Sequence, residues 1–152
     1  MLPVEELETP IGTLYLSAEG DVLRELSFRP IAGPREKLAI TERVKAYFSG
    51  DLRALDKIAV DPQGTPHQRA VWAALREIPL GKTWSYAQLA KRVGSHPRAV
   101  GSANGANPIA VVIPCHRVIA SDGTLCGYGG GLPRKRWLLD HESGSLLLGR
   151  LG

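Results

Sequence analysis

Apolar and polar residues alternate from Thr13 to Ser17, with Leu14 and Leu16 on one face and Thr13, Tyr15 and Ser17 on the other. That period of two predicts a half-buried strand. Thr9-Pro10-Ile11-Gly12 before it and Glu19-Gly20-Asp21 after it read as turns, and Val22 to Phe28 reads as the returning strand of a hairpin. The spacing becomes helical over Lys37 to Phe48, where Leu38, Val44, Tyr47 and Phe48 are apolar and Gly50 marks the stop. Ile58 to Val60 reads as a further short strand. Residues 1–62 are therefore expected to form a small N-terminal α/β scaffold domain.

Asp61-Pro62-Gln63-Gly64 reads as a linker, and residues 63–152 as a second domain. Thr65 with Gln68 makes a capping box, Pro66 takes the first helical position, and Val71, Leu75 and Ile78 form the apolar stripe. Ser85 with Gln88 is a second capping box, opening a helix from Tyr86 to about Val93 that Gly94 ends. Arg98 to Asn104 follows as another short helix. Helix, glycine turn, helix is the helix-turn-helix pattern, which many helix pairs without a ligand also share. The second of these helices carries Ala99, Gly101, Ser102 and Ala103 around one long cation, Arg98. Such a helix suits close approach in a narrow groove without reading bases, or close packing of one protein helix on another. An apolar run, Ile109 to Ile113, leads into Pro114-Cys115-His116-Arg117-Val118. Gly127-Tyr128-Gly129-Gly130-Gly131 reads as a flexible loop, Pro133 opens a last helix over Arg134 to Glu142, and the tail Gly144 to Gly152 is expected to be loosely held.

Charge sharpens this division. Residues 1–63 carry 8 basic and 11 acidic side chains, whereas residues 64–142 carry 10 basic and 4 acidic ones. The basic half is the half with the helix pair and Cys115, which fits either a polyanionic partner or an ordinary solvated surface. No stretch approaches the length of a membrane span, and Met1 to Pro10 shows no secretory pattern. A reducing, cytoplasmic setting without a structural disulfide is expected for the two cysteines. No zinc-finger spacing appears among them and the four histidines, so no metal and no cofactor are expected.

Cys115 is the candidate nucleophile. A rigid run before it and His116 or Arg117 beside it can stabilise a thiolate. A lone cysteine is also commonly a small buried hydrophobe. The wider set of motifs resembles the O6-alkylguanine-DNA alkyltransferase family (methylated-DNA–protein-cysteine methyltransferases). The resemblance is carried by Pro114 to Val118, Arg98 to Gly101, Asn107-Pro108, Ser85-Tyr86, Tyr128 to Gly130 and Trp137 to Glu142, with Thr9 to Gly12 and Ala46 to Gly50 earlier in the chain.

The resemblance implies an α+β protein: a ribonuclease-H-like N-terminal unit and a C-terminal winged helix-turn-helix alkyltransferase domain. It implies stoichiometric, irreversible transfer of the alkyl group of O6-alkylguanine, with O4-alkylthymine as a candidate second lesion, from duplex DNA to Cys115 after base flipping. In that scheme His116, bonded to Glu142, acts through a water as the base. Tyr86 donates a proton to the guanine ring. Arg98 fills the vacated stack, while Ala99, Gly101 and Ser102 lie in the minor groove. The carbonyls of Cys115 and Val118 hold the guanine amino group, and Asn107, Tyr128 and Gly129 complete the pocket. The implied protein is a monomer away from membranes. His67, Cys126 and Gly129 depart from the family pattern. Three other readings compete: a lesion binder of the alkyltransferase-like type that recruits repair factors, a cysteine hydrolase, and a helix-turn-helix regulator.

Overall fold

A computed structural model describes residues 1–125 and 127–144. Cys126 and the expected loose tail beyond Gly144 lie outside the described residues. The chain forms a mixed α+β fold of two compact units, one comprising residues 1–63 with 108–112, the other residues 64–107 with the segment from 113 onward. Residues 108–112 thus return to the first unit, an excursion that a single cut at 62/63 leaves in the second.

In the first unit, β1 (Val4–Thr9), β2 (Gly12–Glu19) and β3 (Val22–Ser27) form an antiparallel meander, and β4 (Ala59–Val60) pairs parallel with β3. Leu14 and Leu16 are buried as their alternation requires, with Val4, Ala18, Leu23 and Leu26. Strand β1 was not expected: Glu5, Glu6 and Glu8 mask the alternation, and glutamate is depleted in strands. Pairing with β2 from Val4↔Ser17 to Thr9↔Gly12 holds it in place. Helix α1 spans Thr41–Phe48, not Lys37–Phe48. The segment leading into the helix, with Leu38 from the expected helix itself, is bonded to β1 instead. Val4 N–H donates to Pro34 O (2.8 Å), Glu36 N–H donates to Val4 O (3.0 Å), and Leu38 N–H donates to the Glu5 carboxylate (2.7 Å). Pairing with a neighbouring strand overrides a weak helical preference.

In the second unit, α2 (Pro66–Leu75), α3 (Tyr86–Val93) and α4 (Pro97–Gly105) pack on one another. The short strands β5 (Trp84–Ser85) and β6 (Val118–Ile119) pair in parallel, and α5 (Leu132–Ser143) closes the unit. Both capping boxes form as the sequence predicts, each with its reciprocal pair of bonds. Gly94 ends α3 with φ 67°, the left-handed geometry that favours glycine. Trp72, Leu75, Leu89, Val100, Ala103 and Leu138 are buried. Gly64 is required by packing, because a Cβ there would lie 2.6 Å from the Trp72 ring. The Trp72 indole N–H donates to Ala103 O (2.8 Å), so α2 grips the last turn of α4.

Candidate active site

The apolar run before the cysteine is buried but forms turns, not a strand. Leu26 N–H donates to Pro108 O and Ala110 N–H to Leu26 O, both at 3.0 Å, so the run begins as an edge contact of β3. It then doubles back. Val112 N–H reaches Ala110 O (2.8 Å) around Val111 at φ 71°, the one non-glycine residue with positive φ among those described. A γ-turn of this sign is rare and strained, more so at a β-branched residue. Cys115 N–H next donates to Ile113 O (2.8 Å) around Pro114, the common inverse γ-turn. Cys115 so opens a 3-10 turn, Cys115–Arg117, closed by Val118 N–H on Cys115 O.

Cys115 is buried, 7% exposed. Burial raises its pKa, and a hydrogen bond with Asn107 and the charge of Lys135 recover only part of that rise. At neutral pH the resting sulfur therefore carries its proton, and a nucleophilic role demands a base. His116 is fully buried with Nε2 2.8 Å from Glu142 Oε2. Its Nδ1 is buried with no hydrogen-bond partner among the described residues. A hydrogen on Nε2, directed at the carboxylate, leaves the Nδ1 lone pair available to take a proton.

Glu142, on α5, is buried, which by itself raises its pKa. His116, by its charge when protonated and by its hydrogen bond, together with the Arg117 guanidinium, outweighs that and holds the carboxyl well below the usual range. Arg117 grips it from the other side, Nε on Oε1 at 2.7 Å and Nη2 on Oε2 at 3.1 Å, while Nη1 donates to Ile78 O at 2.8 Å. Arg117 was expected as a candidate for stabilising the thiolate; its guanidinium is instead committed to Glu142 and to Ile78 O, three residues past the end of α2.

The other expected residues fall into two groups. Asn107 donates to Ile113 O (2.8 Å) as well as bonding the thiol, so it fixes both ends of the turn before Cys115. Tyr128 is largely buried; desolvation, then the charges of Cys115 and Glu142, push its hydroxyl pKa well up, so it stays a proton donor. Gly129 is exposed, and a Cβ there would touch nothing. The two carbonyls implied as guanine acceptors each have a bond already. Val118 O accepts from Lys135 Nζ (2.6 Å), and Cys115 O accepts from Val118 N–H and, at 3.4 Å, from Asn104 Nδ2. Asn104 and Lys135 were not singled out in the sequence; both are buried.

The second group lies on α4 and beside it. Arg98, Ala99 and Ser102 are exposed on α4, whereas Val100, Ala103 and Asn104 face inward. Gly101 is half-buried, and a Cβ on it would lie 3.6 Å from the Tyr86 ring. Small residues on this helix thus serve both alternatives: buried Ala103 lies where the Trp72 indole bonds its carbonyl, and Ala99 and Ser102 leave a bare outer face. His96 caps the helix, accepting the Arg98 N–H on Nδ1 at 3.2 Å.

Residues 66–144 match the family described as 6-O-methylguanine DNA methyltransferase, DNA binding domain. A methylated-DNA–protein-cysteine methyltransferase of Salmonella typhimurium is 41% identical over 95% of this chain and 96% of its own length. Its counterpart in Mycolicibacterium paratuberculosis is 44% identical over 93% of each chain. The crystal structure of Mycobacterium tuberculosis OGT in complex with DNA superposes with a TM-score of 0.84 at 39% identity, covering 94% of both chains. The class is that of proteins that methylate their own cysteine from DNA. The chain belongs to the methylated-DNA–protein-cysteine methyltransferase family.

Proposed function

We propose that the protein repairs alkylated DNA by direct reversal, accepting on Cys115 the alkyl group of O6-alkylguanine, with O4-alkylthymine as a second candidate lesion. The observation that carries this reading is the buried set Cys115, His116 and Glu142: a thiol, an imidazole whose buried Nδ1 has no hydrogen-bond partner among the described residues, and a carboxylate that fixes the imidazole's orientation.

The step balances simply. The thiol proton passes through a bridging water to His116 Nδ1, and Glu142 stabilises the imidazolium. The thiolate attacks the alkyl carbon, an S–C bond forms, and the C–O6 bond breaks. The leaving guanine takes a proton from the Tyr86 hydroxyl, which the imidazolium proton ultimately replaces. The products are guanine and a thioether. A thioether has no carbonyl for water to attack, so the protein is consumed. The second lone pair of Val118 O, and Cys115 O in exchange for its long bond from Asn104, hold the guanine amino group, with Asn107, Tyr128 and Gly129 around the ring.

In this reading the second unit, residues 64–107 with the segment from 113 onward, is a winged helix-turn-helix domain that binds DNA and transfers the alkyl group, and the first unit is a ribonuclease-H-like scaffold. The protein acts as a cytoplasmic monomer. Arg98, Ala99, Gly101 and Ser102 enter the minor groove of duplex DNA, where a bare helix face approaches closely without reading sequence. The test is a titration of methylated duplex against protein. A burst of one alkyl group per chain with no further turnover is expected. Continued turnover would favour a hydrolase, and tight binding with no transfer would favour a lesion binder that recruits other factors.

Arg98→Ala is expected to separate repair of duplex from reaction with a free alkylated base. Arg98 is the one long cation on the outer face of α4, so it plugs the gap left by the extruded guanine. Its loss removes about 1–3 kcal/mol of compensation for unstacking, or roughly ten- to a hundredfold in single-turnover rate on duplex. Reaction with free O6-alkylguanine needs no flipping and should hold its rate. Equal losses on both substrates would assign Arg98 to the pocket or the fold.

A further inference from the structure

Lys135 is fully buried on the first turn of α5, a place where lysine is seldom found. Its Nζ donates to Val118 O at 2.6 Å and to Gly127 O at 3.4 Å. Val118 is the residue whose N–H closes the turn on Cys115 O, and Gly127 begins the loop that carries Tyr128. One ammonium therefore ties the cysteine turn to the tyrosine loop. Burying an ammonium is costly, and a methionine could fill the same volume without that cost.

We propose that Lys135 is a positioning residue for the Cys115 thiolate: its ammonium, fixed between Val118 O and Gly127 O, holds a permanent positive charge where the sulfur ionises. This rests on the reading that Cys115 is the alkyl acceptor. His116 receives the proton, but in a water-poor site the newly formed anion also needs a nearby charge that does not move. Arg117 is unsuited to the task, since Glu142 and Ile78 O hold its guanidinium. Among the charges acting on the sulfur, that of Lys135 is the one that favours the ionised form. The same bond orients Val118 O, one of the carbonyls proposed to hold the guanine amino group.

The experiment is the pH profile of Cys115 alkylation by iodoacetamide in the full-length protein, which needs no DNA. Lys135→Gln keeps a donor for Val118 O but removes the charge; Lys135→Arg keeps the charge. The Gln variant should raise the midpoint by about one pH unit or more, roughly tenfold less thiolate at any pH below it. The Arg variant should stay close to the parent. A Gln variant that melts like the parent and keeps its midpoint overturns the proposal. A second measurement needs no change at Lys135. Coupling between two titrating groups is mutual, so the Lys135 ammonium, followed by NMR, should lose its proton at lower pH in Cys115→Ser than in the parent. Identical titration in the two proteins overturns the proposal as well. If the parent protein itself transfers no alkyl group from DNA to Cys115, the functional reading fails, and the iodoacetamide profile still reports on Lys135 separately.

Discussion

Cys115→Ser should yield no alkylated protein from methylated duplex while binding that duplex with nearly unchanged affinity. The hydroxyl of serine ionises far less readily than a thiol, and the burial that already raises the thiol pKa would oppose an alkoxide more strongly still. DNA affinity has a different origin. Phosphate contacts dominate it, and the exposed cation Arg98 and the outer face of α4 are untouched by the change. Sulfur and oxygen differ little in size, so the turn at Pro114 should persist. Single-turnover transfer and a binding titration on the same sample check both halves. Residual transfer in the serine variant would move the acceptor away from Cys115.

Glu142→Gln should slow transfer by orders of magnitude and also destabilise the fold. The carboxylate has two partners, the His116 ring and the Arg117 guanidinium. A neutral amide cannot stabilise the imidazolium that forms when His116 takes the thiol proton. It also strands a guanidinium that is largely buried, 12% exposed. Removing one partner of a buried ion pair costs about 3–5 kcal/mol, which for a chain of this size lowers the melting temperature by roughly 10 °C.

The sign of the pH dependence follows from the depressed carboxyl. Its stabilisation is complete above the ordinary unfolded carboxylate range, near about 4.3 for glutamate, and it is lost as pH falls through the lower folded value. The stability gap between parent and Glu142→Gln should therefore be flat from neutral pH to about pH 5 and narrow only in stronger acid. Thermal melts of both proteins across that range measure it. Unchanged melting together with unchanged thiol reactivity would remove Glu142 from the relay.

The parts of the fold that were legible in the sequence are those whose causes are local. Thr65 with Gln68, Ser85 with Gln88, and Gly94 each act within a few residues, and each helix end stands where its chemistry predicts. The illegible parts depend on distant partners. Strand β1 is set by its pairing with β2 despite three glutamates. The late start of α1 goes with the bond from Leu38 N–H to the Glu5 carboxylate, a partner 33 residues away. The excursion of residues 108–112 is set by a contact with Leu26, and its strained turn at Val111 has no signature in a run of apolar residues.

The candidate site divides the same way. Cys115 and His116 announce themselves as neighbours, whereas Glu142 enters the sequence reading only through the family resemblance. Nothing in the chain's spacing says that Arg117 will choose a carboxylate 25 residues away over the adjacent thiol. Lys135 looks like any surface lysine beside Arg134 and Arg136 until α5 turns it inward.

The most direct measurement is mass spectrometry of the full-length protein after mixing with a duplex that contains one O6-methylguanine. The account predicts that each chain gains the mass of one methyl group, that peptide mapping finds it on Cys115 alone, and that the duplex is left with an unmodified guanine. A protein of unchanged mass, or a methyl group found on Cys126, would contradict it.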